Sequence, residues 1–245
     1  MRFALNVDHI ATLRNARGED QPDPVTAALI AEEAGVDGIV VHLREDRRHI
    51  SERDVRLLRE LVKTKLDLEM AATEEIIKIA CDVGPELATL VPEKRKELTT
   101  EGGLNVIDNL SLIKETISEL HSSDINVSLF IEPDLNQIDT AAEIDADFVE
   151  IHTGIFANAV SEVEQYDELE KIITAVTHAK KLGLEVNAGH GINYQNIKIF
   201  REVPDIDELS IGHSIIARAV FVGITEAVRE MIRLINYKNT LNEGS

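Results

Sequence analysis

Short runs rich in valine, isoleucine and leucine alternate along this chain with longer segments whose apolar residues recur at helical spacing. That is the pattern of repeated βα units around a buried parallel sheet. The runs are FALNV (3–7), GIVVHL (38–43), LDLEMA (66–71), LATLVP (87–92), NVSLFI (126–131), DFVEIH (147–152), LEVNAG (184–189) and ELSIG (208–212), which makes eight candidate strands. Helical periodicity covers 24–34, 51–64, 73–83, 108–122, 135–144, 167–182, 194–203 and 214–235. Ser51 with Asp54 three residues on, and Thr73 before Glu74 and Glu75, are helix starts, while Gly35, Gly84 and Gly183 follow helix ends. Gly223 predicts a break in the last helix near Val222 to Ile224. Eight strands, each followed by a helix, in 245 residues is the arithmetic of an α/β (β/α)8 TIM barrel. A doubly wound open sheet is the alternative, but it needs a switch point and usually has fewer strands. No linker or composition break divides the chain, so residues 1–245 are expected to form a single TIM-barrel domain. The connections 47–53 and 93–107 are long enough to cover a site at the C-terminal face.

Composition narrows the partners. Lys and Arg total 25 against 45 Asp and Glu, a formal net charge of −20, and such a field repels nucleic-acid backbones and anionic lipid. The single cysteine, Cys81, forms no internal disulfide and reads as a small buried hydrophobe. The apolar start of the chain is too quickly interrupted by Asp8 and His9 for a signal peptide, and no apolar run is long enough to span a bilayer. A cytoplasmic location is expected, with no nucleic-acid or membrane partner.

In a barrel, chemistry sits where the strands end. Polar residues interrupt the apolar runs there: Asn6, Asp8 and His9 on strand one, His42 and Arg44 on strand two, Glu69 on strand three, Glu150 and His152 on strand six, Asn187 and His190 on strand seven, and Gly212 with His213 on strand eight. Six of the eight histidines lie at such ends or in the loops just beyond. A lone one would be scaffold; buried polar groups converging from six strands each need a partner, and a core gains nothing by importing them. Glu69 stands among apolar neighbours that raise a carboxyl pKa toward neutrality, which suits proton transfer; a salt bridge to Arg44 is the structural alternative.

Despite the net charge, the first two βα loops gather Arg14, Arg17, Arg44, Arg47 and Arg48, and the loop after strand four adds Lys94, Arg95 and Lys96. Guanidinium groups suit bidentate capture of phosphate. AGHGI (188–192) and SIGHS (210–214) set glycines where loops seven and eight approach a helix start, a common phosphate position in this fold. Two anion-friendly regions imply two phosphate groups. No assigned strand holds a lysine, which disfavours an enzyme-bound Schiff base, and dinucleotide, P-loop and zinc-helix motifs are missing. Acid–base chemistry on small phosphorylated substrates remains.

The blocks NVDHIATLRNARG (6–18), VHLREDRRHI (41–50), LEMA (68–71), LVPEKR (90–95) with TTEGGL (99–104), EIHTG (150–154), NAGHG (187–191) and IGH (211–213) resemble, in order and over nearly the whole chain, the pyridoxine 5′-phosphate synthase family. The resemblance implies a barrel enzyme that condenses 3-amino-2-oxopropyl phosphate with 1-deoxy-D-xylulose 5-phosphate, closing the pyridine ring of vitamin B6 and releasing inorganic phosphate and water. By motif it implies that His42 and Glu69 accept protons, His190 donates one, and Glu150 stabilises the transition state. It also assigns Asp8, His9, Arg44, His49 and Thr99 to the deoxyxylulose phosphate, and Asn6, Arg17, Gly191, Gly212 and His213 to the aminoketone phosphate. A homo-oligomer, commonly an octamer, with no metal or organic cofactor is part of the same expectation. Two other readings stay open. The His, Asp and Glu ring could hold a divalent metal, as in barrel hydrolases, although strand one reads DHI rather than His-x-His. A non-catalytic phosphosugar-binding barrel would have no need of Glu69 and His190.

Overall fold

The computed structural model describes residues 1–93 and 102–237. Within them β1 (Arg2–Asn6), β2 (Gly38–His42), β3 (Lys65–Met70), β4 (Leu87–Leu90), β5 (Asn126–Ile131), β6 (Phe148–His152), β7 (Glu185–Gly189) and β8 (Glu208–Ile211) pair in sequence order. All the pairs are parallel and β8 returns to β1, so the sheet closes as the expected barrel. Around it run α1 (Asp8–Arg17), α2 (Pro24–Ala34), α3 (Glu52–Leu61), α4 (Glu74–Val83), α5 (Leu110–His121), α6 (Leu135–Glu143), α7 (Gly154–Asn158), α8 (Glu162–Lys181), α9 (Ile197–Phe200), α10 (His213–Val222) and α11 (Ile224–Ile235). None of the described helices is long and apolar enough to cross a membrane.

Alternation along each strand divides the residues into two sets with different chemistry. Phe3 and Leu5, Ile39 and Val41, Leu66, Leu68 and Met70, and Val149 and Ile151 belong to one apolar cluster with Ala28 and Ala31 of α2, Val55 and Leu58 of α3, and Ile172 and Val176 of α8. This layer between sheet and helices is the hydrophobic core, and Cys81 packs against it half-buried. The other set faces the barrel axis and is largely polar: Asp67, Thr89, Ser128, Glu150, Asn187 and Glu208 are all buried. Lys65 of β3 and Glu208 of β8, on strands that are not neighbours, meet across the axis at the N-terminal end. Thr89 Oγ1 donates to Asp67 at 2.8 Å.

Several expectations change. β3 begins one residue early, so a strand does hold a lysine; Lys65 pairs with Glu208 at the end remote from the mouth. α1 and α7 were not foreseen, and α1 takes Asp8 and His9 into its first turn rather than extending β1. Arg14 and Arg17 therefore stand on a helix, not in a loop. The α10 to α11 break falls at Gly223, whose φ of +82° suits a residue without Cβ. Thr73 precedes α4 without making a side-chain cap.

Ser51 and Asp54 form the expected capping box at α3, and Asp54 does more. It receives Arg14 in a bidentate pair at 2.8 and 2.9 Å, which ties α1 to the first turn of α3. Burial pushes the Asp54 carboxyl up, but hydrogen bonds from Arg14, Ser51 and Arg53 outweigh it and leave the pKa at about 2. A carboxyl held below its unfolded value stabilises the fold above that value, and the contribution fades as pH falls through the folded pKa. Replacing Asp54 by Asn should cost roughly 3 kcal/mol in urea unfolding at pH 7, because it strands a buried guanidinium. The gap from wild type should be complete above about pH 4 and close as pH falls toward 2; a gap constant across that range would refute this account.

Candidate active site

The C-terminal ends of the strands open into a cavity of about 690 Å³. Its lining contains Asn6, Asp8, His9, His42, Arg44, His49, Glu69, Glu150, His190, Gly191, Gly212 and His213, so twelve of the fourteen expected site residues come together. Thr99 lies outside the described residues, as do Lys94, Arg95 and Lys96. Arg17 does not reach the cavity lining; its side chain is 79% exposed at the end of α1, 3.8 Å from Glu19.

One corner is built by the turn out of β1. Asn6 Oδ1 accepts from the Asp8 N–H at 2.9 Å, and Asn6 Nδ2 donates to Asp8 Oδ2 at 3.0 Å. Asp8 Oδ1 then accepts the His42 N–H at 2.9 Å, pinning the end of β2. The His42 Nδ1 lies 3.8 Å from Glu69 Oε2, and its Nε2 is 2.9 Å from Glu93 Oε1. Ligand atoms of Asp8, His42 and Glu69 stand within 4.8 Å of one another, close enough for a cation to bridge. Yet both Asp8 oxygens already accept hydrogen bonds, and the Arg44 guanidinium lines the same cavity. The arrangement suits proton exchange better than metal ligation.

Glu69 is 17% exposed on the cavity floor and bonds to Asn6, not Arg44. Burial raises its pKa well above the usual carboxyl value, and the charges of Glu150, Asp8 and Asp67 push it in the same direction. Glu150 is raised too, by burial first and then by Asp67 and Glu208, with Lys65 opposing. Its Oε1 fills the place a Cβ on Gly189 would take, 2.2 Å away, so the glycine of β7 is what lets this carboxyl lie against the sheet. His9 and His49 are both lowered, mainly by burial, and the His9 and His213 rings face each other at 5.0 Å.

His190 sits at φ +73°, in the left-handed region, followed by Gly191 at +94°. Its carbonyl and that of Gly189 accept from the Thr153 hydroxyl at 2.6 and 2.9 Å, which holds this strained turn. A Cβ on Gly191 would come within 2.5 Å of Ala157 Cβ, so α7 presses directly on the loop. Burial, then the neighbouring His152 and His9, lower the His190 pKa to about 4. The ring therefore favours its neutral form.

The arginine-rich loops also resolve differently. Arg14 is spent on Asp54, Arg47 on Glu52 and Glu75, and Arg48 on Asp46. Arg44 alone of the five lines the cavity, 3% exposed, with its Nε buried and without a hydrogen-bond partner. Residues that the strand-end pattern did not single out include Glu93, on His42, and Glu132, whose Oε1 is 2.8 Å from His152 Nδ1. The signal for Glu93 was its place just beyond the end of β4, masked by the three basic residues that follow it.

A family model described as "Pyridoxal phosphate biosynthesis protein PdxJ" matches residues 3–237. A protein of Chlorobium phaeobacteroides named pyridoxine 5′-phosphate synthase is 60% identical over 235 residues, 96% of this chain and 100% of that protein. One of Syntrophobacter fumaroxidans with the same name is 57% identical, covering 96% and 99%. Among solved structures, phosphoribosylanthranilate isomerase from Thermotoga maritima aligns with a TM-score of 0.62 at 12% identity over 96% of this chain and 98% of its own, a likeness of fold alone.

The protonation of His190 can be read directly. Its imidazole resonances in the substrate-free protein should titrate with a midpoint near 4, far below the ordinary value of about 6.5. A midpoint above 6 would contradict the desolvated geometry described above.

Proposed function

The chain belongs to the PdxJ family of pyridoxal phosphate biosynthesis proteins and its reaction forms pyridoxine 5′-phosphate; on that premise we propose how its barrel mouth does so. The substrates are 3-amino-2-oxopropyl phosphate and 1-deoxy-D-xylulose 5-phosphate, with inorganic phosphate and water released. The observation that carries the reading is the convergence in one cavity of a carboxyl with a raised pKa, Glu69, a histidine beside it, His42, and separate cationic and helix-start anion sites. Arg44, with an uncommitted buried Nε, serves the deoxyxylulose phosphate with Asp8, His9 and His49. Gly191, Gly212 and His213, where α10 begins, serve the aminoketone phosphate through backbone N–H groups, with Asn6 alongside. Thr99 and Arg17 belong to these two sets by motif, and Arg17 would have to turn inward from its exposed position to join.

No lysine lines the cavity among the described residues, so the carbonyl–amine condensation joins the two substrates to each other rather than to the protein. Glu69 then takes a proton as the ring closes, with His42 accepting the proton that Glu69 gives up, and Glu150 stabilises the transition state from the same cavity. His190 supplies a proton to a departing oxygen. A phosphate dianion arriving beside Gly191 favours the charged imidazole, so the substrate itself raises the His190 pKa from its low resting value.

A homo-oligomer, expected to be an octamer, is part of the proposal. Around the break between α10 and α11, Val222 and Ile224 pack against the core, whereas Phe221 is 84% exposed beside an exposed Val220. Light scattering should report a species several times the 27.2 kDa chain, and Phe221→Asp should reduce it; a monomer at micromolar concentration and moderate salt would exclude self-association.

Replacing Glu69 by Gln keeps its shape and removes the base. Turnover, followed through pyridoxine 5′-phosphate and inorganic phosphate together, should fall on the order of 100-fold or more with KM changed little. Near-normal turnover would remove Glu69 from the mechanism.

A further inference from the structure

Glu93 has no role in the expected site, yet it is nearly buried and its two oxygens are committed to two donors. Oε1 lies 2.9 Å from His42 Nε2, and Oε2 accepts the Glu45 N–H at 3.1 Å. We propose that Glu93 is a positioning residue for the acid–base pair: it fixes the His42 proton on Nε2, leaves Nδ1 bare toward Glu69, and supplies the countercharge that lets His42 take the Glu69 proton. This rests on the acid–base reading above.

The geometry leaves little freedom. Burial raises the Glu93 carboxyl, but its hydrogen bonds with His42 and the Glu45 N–H and the nearby Arg44 charge bring it below the usual value, which favours the carboxylate, an acceptor only. His42 Nε2 must therefore be the donor, and in the neutral ring Nδ1 carries the lone pair. The His42 backbone cannot swing away, because its N–H is held by Asp8 Oδ1. Nδ1 faces Glu69 Oε2 at 3.8 Å, one small side-chain adjustment from hydrogen-bond contact. Burial and its carboxylate neighbours favour the protonated form of Glu69, which must give that proton up before it acts as a base. Transfer of the proton from Glu69 Oε2 to His42 Nδ1 produces a Glu69 carboxylate and a His42 imidazolium, and the imidazolium is paired on its far side with Glu93. Charge is conserved: one negative charge appears on Glu69, one positive charge on His42. Without Glu93 the imidazolium would be a buried cation with no partner at Nε2.

Glu93→Gln tests this with two readouts. The amide has one oxygen, and the Glu45 N–H claims it, so the NH2 must face His42 Nε2 and force the proton onto Nδ1. Imidazole 15N spectra of the substrate-free protein should show His42 as Nε2–H in the wild type and in Glu93→Asp, but as Nδ1–H in Glu93→Gln. In the same proteins kcat should fall about 10- to 100-fold in Glu93→Gln with KM within a few-fold, and Glu93→Asp should keep more of it. A wild-type His42 protonated only on Nδ1, an unchanged tautomer in Glu93→Gln, or a kcat within twofold of wild type would each overturn the proposal. The wild-type spectrum decides even if Glu93→Gln fails to fold. Should the wild type make no pyridoxine 5′-phosphate, the proposed function fails, whereas the tautomer measurement still judges Glu93.

Discussion

Carboxyl groups placed inside a closed barrel cannot all ionise, and most of this site follows from that constraint. Glu208 meets Lys65 at the N-terminal end, Asp67 and Glu150 occupy the middle, and Glu69 forms the cavity floor. Each is close enough to influence the next: Glu208 and Asp67 act on Glu150, and Glu150 and Asp67 act on Glu69. Among the described residues only the lowest of these carboxyls is paired with a cation, so the charged form becomes more costly toward the mouth. Burial and the neighbouring carboxylates thus favour the protonated form of Glu69, a cost the interior imposes. The apolar layer outside the sheet makes this possible, because the helices stabilise the barrel without help from its axis.

The same field explains how the positive charges are deployed. A chain with a formal charge of −20 could hold its arginines almost anywhere on the surface, and most of those around the mouth are indeed neutralised by nearby carboxylates. Arg14 with Asp54 locks α1 to α3, giving the Asn6–Asp8 corner a rigid base. Arg44 differs in being buried at the cavity wall with only a distant carboxylate, 3.8 Å from its Nε. A guanidinium in that state has much to gain from a phosphate and little from water.

The strands were legible because each is a short apolar run with turn chemistry at both ends, and all eight fall within two residues of their expected limits. The convergence of Asp8, His42, Glu69, Glu150 and His190 followed from that count, since closure alone brings strand ends together. α1 was hidden because Asp8 and His9 continue a strand-like run, and α7 because one turn of helix carries too few residues to show a period. Long-range pairings left no local trace: Arg14 and Asp54 are 40 residues apart, His42 and Glu93 are 51. Three of the five arginines read as anion-binding, Arg14, Arg47 and Arg48, are thus committed to carboxylates.

The low pKa of His190 shows why residue type alone could not assign a charge state. Its ring lies beside His152, itself bonded to Glu132, so partial burial and two other imidazoles oppose a positive charge even though the residue borders the open cavity. Both sides of the cavity therefore favour the neutral form, Glu69 because of burial and the anions around it, and His190 because burial and two imidazoles outweigh the pull of Glu132. Ionising either one alone in the low-dielectric site is costly. A dianionic substrate beside Gly191 favours the cation on the His190 side, while Arg44 and a protonated His42 favour the anion on the Glu69 side. In the proposed mechanism acid and base become competent only when the two phosphates have arrived, which protects reactive groups from proton exchange with water before both substrates are bound.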